Sequence, residues 1–293
     1  MAVAFPSFRR PLRACLFYAA WVASLGRISS AAAQHLLPVT IPNSTHHVLP
    51  SVVAGHTYDV YVHLPAGYSA AAAKKYPVLY VVDGDNDFAP TLEYLGLLMA
   101  EYHIPEPLVV AIGDGGLIGT PGNKRTRDFT PTTTPAAPES GGAPAFLGFI
   151  EQELLPFVEK TYRADPAQRT YYGYSMGGLF GTYVLFQKPT LFQNILLGSP
   201  ALGYDKGSIF ALEKAYHATH TALPVHVFLE VGELETPGQR EPYQRLVQQL
   251  QARQYQQLDL HAVVLPHVTH LTGKPTTMLQ ALGWAYTTPH VTF

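Results

Sequence analysis

The sequence predicts one α/β domain on an eight-stranded, mostly parallel sheet with an antiparallel N-terminal hairpin and helices on both faces. Three observations carry this: short apolar runs ended by turn residues recur along the chain, helix-length segments separate the later runs, and two alternating strands precede them all. With 293 residues, 47% of them hydrophobic and 14% charged, the chain has enough apolar side chain for a single large core.

Residues 1–33 read as a secretory signal peptide. Arg9, Arg10 and Arg13 form a positive start, Ala14 to Gly26 is an apolar stretch short for a bilayer, and Ala31-Ala32-Ala33 offers small-residue cleavage near Ala33. This segment holds four arginines, no acid and the only cysteine, Cys15, so its loss takes the formal charge from −2 to about −6. A thiol-free catalytic domain over 34–293 suits an oxidising compartment. The expected location is secreted or periplasmic, with no stable membrane span after cleavage.

His46 to Val53 and Thr57 to Leu64 alternate in polarity across Ala54-Gly55 and predict the hairpin. Six further runs predict strands: Tyr76 to Asp83, Leu108 to Gly113, Thr170 to Tyr174, Gln193 to Ser199, Val225 to Val231 and Leu258 to Leu265. Pro90 to Tyr102, Phe146 to Tyr162 and Pro242 to Gln254 have helical length and pattern between them, the arrangement of βαβ units. Thr130 to Pro144, dense in Pro, Thr, Ala and Gly, breaks the rhythm and is expected as a long, partly mobile loop over the carboxyl edge of the sheet.

Composition also excludes. A near-neutral chain with no basic run interleaved with aromatics has no field for nucleic acid. One cysteine allows no internal disulfide, and 13 histidines without a spaced partner set argue against structural zinc. The expected partner is a small molecule, with no metal and no cofactor.

Gly173-Tyr174-Ser175-Met176-Gly177 matches G-x-S-x-G between a strand and a helical pattern, where only small residues let strand and helix approach and expose the serine hydroxyl. A serine nucleophile needs a base and an acid that orients it. In the α/β-hydrolase arrangement they follow in the order Ser, Asp or Glu, His. Ser175 follows the fifth strand, so the acid is sought after the seventh and the histidine after the eighth. Gly232-Glu233-Leu234-Glu235 and Pro266-His267-Val268-Thr269-His270 stand there. Glu235, further into its loop and followed by Thr236-Pro237-Gly238, is preferred to Glu233, and Glu230 lies within the strand. His270, deeper in its loop, is preferred to His267.

These residues resemble the esterase (esterase D-like) family of the α/β-hydrolase superfamily, with the siderophore-esterase-like bacterial members nearest. The resemblance covers nearly all of 34–293 and includes Tyr58 to Tyr68, Tyr76 to Phe88, Arg125 to Pro131, Phe146 to Tyr162, the turn through Gly178, Ser199-Pro200-Ala201-Leu202 and Thr269-His270. It implies the α/β-hydrolase fold, Ser175 as nucleophile, Glu235 as acid and His270 as base. Where relatives often carry tryptophan after Ser-Pro-x-Leu, this chain has Gly203-Tyr204, which implies a differently shaped acyl pocket.

Acyl transfer also needs two preorganised donors for the oxyanion. The N–H of Met176 is one expected donor, and the N–H of Asp85, in the Asp83-Gly84-Asp85-Asn86 loop, is the other. Arg127, paired with Asp128 or offered to substrate, joins Tyr174 and Tyr204 as a candidate substrate-binding side chain. The expected function is a serine carboxylic-ester hydrolase working through an acyl-enzyme on siderophore lactones, feruloyl or aryl esters, or short acyl esters. An acyltransferase using the same triad and a non-catalytic binding protein are the alternatives.

Overall fold

The structure, a computed structural model, describes residues 39–71 and 73–287. The chain divides into two units, 1–40 and 41–293, and every element described here belongs to the second. The expected signal peptide, residues 1–33, lies outside the described residues. Among the described residues no helix is long and apolar enough to cross a membrane.

Eight strands form one sheet: β1 (Ser44–Pro50), β2 (Thr57–His63), β3 (Tyr76–Val81), β4 (Leu108–Ile112), β5 (Ala164–Tyr174), β6 (Asn194–Gly198), β7 (Ala222–Gly232) and β8 (Gln256–Leu265), in the order β1-β2-β4-β3-β5-β6-β7-β8. β1 and β2 form an antiparallel hairpin, β2 runs antiparallel to β4, and the pairs from β4 through β8 are parallel. Every residue of β4 is buried, as expected of a strand covered on both faces. Side chains alternate: Val78, Tyr80 and Val82 enter one core, Leu79 and Val81 the other.

One face packs against α1 (Gly84–Tyr102) and α8 (His270–Tyr286), through residues such as Phe88, Leu95, Met278 and Trp284. The opposite face carries α3 (Ala143–Phe149), α4 (Leu155–Thr161), α5 (Met176–Gln187), α6 (Ile209–His217) and α7 (Pro237–Arg253), with α2 (Arg125–Phe129) beside them. α5 is buried from Gly177 to Phe186, so the helix that follows Ser175 is held by core on all sides.

Several boundaries differ from the sequence reading, among them β5, which begins at Ala164 rather than Thr170, and α7, which begins at Pro237 rather than Pro242. α1 starts at Gly84, six residues before Pro90, so most of the expected Asp83 to Asn86 loop is the first turn of a helix. A β-carbon at residue 84 would lie 2.7 Å from the backbone of Ile112, so glycine permits this tight entry. The single helix expected over Phe146 to Tyr162 is interrupted by a π turn, Ile150–Leu154, just before Pro156. Proline's missing N–H leaves a carbonyl of the preceding turn without its usual donor. The long loop after α2 is bonded to itself: Thr133 Oγ1 donates to Ser140 O at 2.9 Å, and Gly141 N–H donates to Thr130 Oγ1 at 2.7 Å.

From β3 the chain moves outward to β4, then returns past β3 to β5. The segments leaving the carboxyl ends of β3 and β5 therefore diverge and open a crevice, the usual ligand position in an open α/β sheet. Asp83 and Ser175 stand on its two sides.

Candidate active site

Ser175 joins β5 to α5 with φ 58° and ψ −112°, a left-handed conformation rare for a residue with a β-carbon. Packing enforces it. A β-carbon on Gly173 would lie 2.5 Å from Gly177 O, and one on Gly177 would lie 2.8 Å from Val82 Cγ2. The turn is fixed by Ser175 N–H to Gly198 O at 2.8 Å and by Leu179 N–H to Ser175 O at 3.0 Å.

His270 is the first residue of α8, behind a Thr269 cap whose side chain pairs reciprocally with Thr272. Lys274, one turn on, reaches Asp87 of α1 at 2.6 Å and ties the two helices together beside the site. His270 Nε2 is 3.0 Å from Ser175 Oγ, and Nδ1 is 2.8 Å from Glu235 Oε2. A carboxylate only accepts, so Nδ1 carries the proton in this contact. In the neutral ring Nε2 then presents a lone pair to Ser175, the tautomer needed to take the serine proton.

Glu235 follows β7 and is almost fully buried. Oε1 accepts Gly232 N–H at 2.9 Å, and Oε2 accepts from His270 and, at 2.7 Å, from Ser199 Oγ. Burial alone would raise its pKa, but the donors from His270, Ser199 and Gly232 outweigh burial and hold the carboxyl below its ordinary range. It is an anion at neutral pH.

The rival acid and base face each other instead. Glu233 Oε2 accepts His267 N–H at 2.9 Å and lies 3.5 Å from His267 Nδ1, on a side chain that is 90% exposed. Glu230 is fully buried in β7 under a hydroxyl from Thr277 and does not contact His270.

Of the expected oxyanion donors, Met176 opens α5 and Asp85 is the second residue of α1. Both N–H groups belong to first turns, which lack intrahelical acceptors. The Asp85 carboxylate itself turns to the segment after β4, accepting Asp114 N–H at 2.8 Å and Tyr61 Oη at 2.7 Å.

The candidate substrate-binding side chains direct their polar groups within the chain. Arg127 grips Asp128 through two contacts of 2.8 Å, Tyr174 Oη donates to His270 O at 2.6 Å, and Tyr204 Oη donates to Thr132 O at 3.0 Å.

Two features escape the sequence reading. Ser199 touches both Glu235 and His270, and Arg125 is bound to Asp83 across the crevice. Both lie at or beside carboxyl ends of strands, the positional signal that leads to Ser175, and both fall in segments that carry the family resemblance, but no local pattern gives either its partner. Among the described residues no group of three His, Cys, Asp or Glu side chains is arranged to hold a metal ion. Chemically the arrangement can deprotonate a serine, store the proton on a carboxylate-backed imidazole and return it to a leaving group.

A family described as "Putative esterase" matches residues 51–272. The ferri-bacillibactin esterase BesA of Bacillus subtilis is 33% identical over 197 residues, covering 58% of this chain and 66% of that protein. A siderophore triacetylfusarinine C esterase of Aspergillus fumigatus is 32% identical over 148 residues, covering 49% and 50%. The chain thus matches between half and just under two thirds of the length of these curated relatives. The crystal structure of a BES protein from Bacillus cereus matches with a TM-score of 0.75 at 26% identity, covering 86% of this chain and 98% of that one.

Proposed function

The chain belongs to the esterase family of the α/β-hydrolase superfamily, and on that premise we propose that it is a serine carboxylic-ester hydrolase working through an acyl-enzyme. One observation carries the reading: the unbroken path from Ser175 Oγ through the imidazole of His270 to the Glu235 carboxylate, with contacts of 3.0 and 2.8 Å.

Ser175 Oγ attacks the ester carbonyl while His270 Nε2 takes its proton, and Glu235 stabilises the imidazolium through Nδ1–H. Charge developing on the carbonyl oxygen is met by the N–H groups of Met176 and Asp85. His270 returns the proton to the leaving alcohol. Water then attacks the acyl-Ser175 ester with His270 again as base, releasing the acid and restoring the serine.

The relatives' names put siderophore esters first among candidate substrates, ahead of aryl and short acyl esters. Export, with cleavage near Ala33, accords with the thiol-free remainder of the chain. A fluorophosphonate probe tests the mechanism: labelling on the peptide that contains Ser175, with parallel loss of p-nitrophenyl acetate and trilactone hydrolysis, is expected. Labelling elsewhere, or hydrolysis that survives full labelling, overturns it.

A further inference from the structure

Ser199 follows β6 at the carboxyl edge of the sheet, between the strands that lead to Ser175 and Glu235. It is 1% exposed and has φ 36°, in the region that favours glycine. Its N–H donates to Glu230 O at 2.8 Å, which fixes the backbone without the side chain.

The hydroxyl has separate work. Ser199 Oγ lies 2.7 Å from Glu235 Oε2 and 3.0 Å from His270 Nδ1, and those two atoms are 2.8 Å apart. Three polar atoms thus form a closed triangle. The carboxylate can only accept, so the hydroxyl hydrogen goes to Oε2 and the oxygen lone pairs face Nδ1–H. A hydroxyl is both donor and acceptor, and no apolar side chain satisfies both neighbours.

We propose that Ser199 is a positioning residue of the hydrolase, its hydroxyl setting the Glu235 carboxylate and the Nδ1–H of His270 in register so that Nε2 faces Ser175. The inference rests on the reading of Ser175, His270 and Glu235 given above. Without the hydroxyl, Glu235 keeps only the donors from Gly232 and His270, and Nδ1–H loses one of its two acceptors, so the ring is less firmly held with Nε2 facing Ser175.

The test compares Ser199→Ala and Ser199→Gly with the parent and repeats Ser199→Ala in a Glu235→Gln background. Glycine suits φ 36°, so Ser199→Gly keeps the fold while lacking the hydroxyl, and it serves where alanine does not fold. Both single variants are expected to lose about 10- to 100-fold in kcat with KM within about twofold. In the Glu235→Gln background Ser199→Ala is expected to cost less than about threefold, because the group it positions is gone. An equal loss in both backgrounds, or a loss carried by KM rather than kcat, makes Ser199 structural and overturns the proposal. If Ser175→Ala is inactive while Ser199→Ala and Ser199→Gly keep the parental kcat, this inference alone falls. If Ser175→Ala stays active, the underlying triad reading falls with it.

Discussion

Arg125 holds Asp83 through two contacts, with Nε and Nη2 at 2.6 and 2.8 Å from the two carboxylate oxygens, while Nη2 also lies 3.4 Å from Tyr174 O. Asp83 is the left-handed residue between β3 and α1, and Tyr174 immediately precedes Ser175. One guanidinium therefore joins the turn that carries the proposed Asp85 donor to the strand that leads to Ser175, the proposed nucleophile. Asp83 is only 1% exposed, so losing the cation leaves a buried carboxylate unpaired.

Arg125→Ala is expected to destabilise the fold by about 2–4 kcal/mol. Arg125→Lys keeps the charge but loses the planar two-point grip, and it should lower kcat at least about tenfold with a smaller change in Tm, since small displacements of preorganised donors are costly. Thermal unfolding and p-nitrophenyl acetate kinetics measure both. A lysine variant with parental kcat would show that the clamp serves folding alone.

The segment after β7 holds two acids and the segment after β8 two histidines, and the geometry pairs Glu235 with His270 and Glu233 with His267. Ser175→Ala and His270→Ala should each lose at least about 10³-fold in kcat while staying folded, and Glu235→Gln at least about tenfold. His267→Ala and Glu233→Gln should stay within about threefold. Far-UV circular dichroism alongside the kinetics separates lost chemistry from lost fold. An active His270→Ala beside an inactive His267→Ala would reverse the assignment.

The six later strands are legible as local apolar runs, and the hairpin as alternation on either side of Ala54-Gly55. The start of β5 is not, since Ala164 to Arg169 is polar, contains Pro166 and joins β3 across a register shift. The start of α1 was hidden for a different reason: Pro90 looks like a first-turn proline, while the true entry depends on Gly84 fitting against Ile112, a contact 28 residues away in sequence. Ser175 stands out because its turn imposes a local steric pattern, and Glu235 and His270 can be found by counting strands. Ser199 falls in a segment that carries the resemblance, but nothing local shows what it touches. Its contacts with residues 36 and 71 positions away exist only once β6, β7 and β8 lie side by side.

Glu230 gives the fold a pH dependence of its own. Burial, opposed by Thr277 and reinforced by the nearby Glu235 charge, raises its pKa from 4.5 to about 7. The folded state therefore holds this proton more tightly than the unfolded chain. Its contribution to stability is complete below about pH 4.5 and is lost as pH rises through about 7. Glu230→Gln removes the ionisation. Its Tm should gain on that of the parent between pH 5 and pH 8, by an amount worth up to ~3 kcal/mol. A constant Tm difference across that interval would mean that Glu230 does not titrate there.

The loop from Thr130 to Pro144 is tied by hydrogen bonds to Ser175, and on the proposed mechanism it is placed to select among substrates. Thr132 O accepts Tyr204 Oη at 3.0 Å, Tyr204 N–H donates to Ala201 O at 3.1 Å, and Ala201 N–H donates to Ser175 O at 2.9 Å. Three hydrogen bonds thus lead from the loop to Ser175 itself, through the segment where Tyr204 is expected to shape the acyl pocket. The base is closed independently by Gly141 N–H on Thr130 Oγ1, outside the stretch to be replaced. Substituting Thr132 to Ser140 with a short Gly/Ser linker should therefore leave hydrolysis of a small acetyl ester within about threefold. It should lower kcat/KM for bulky aromatic esters by ~1–3 kcal/mol, the scale of a few lost pocket contacts. Arg127 keeps its partner Asp128 in such a variant, so a loss confined to bulky substrates reports the loop and Tyr204 rather than a freed charge. Equal losses on both esters would mean that the loop supports the geometry of Ser175, and no loss on either would make it a passive surface turn.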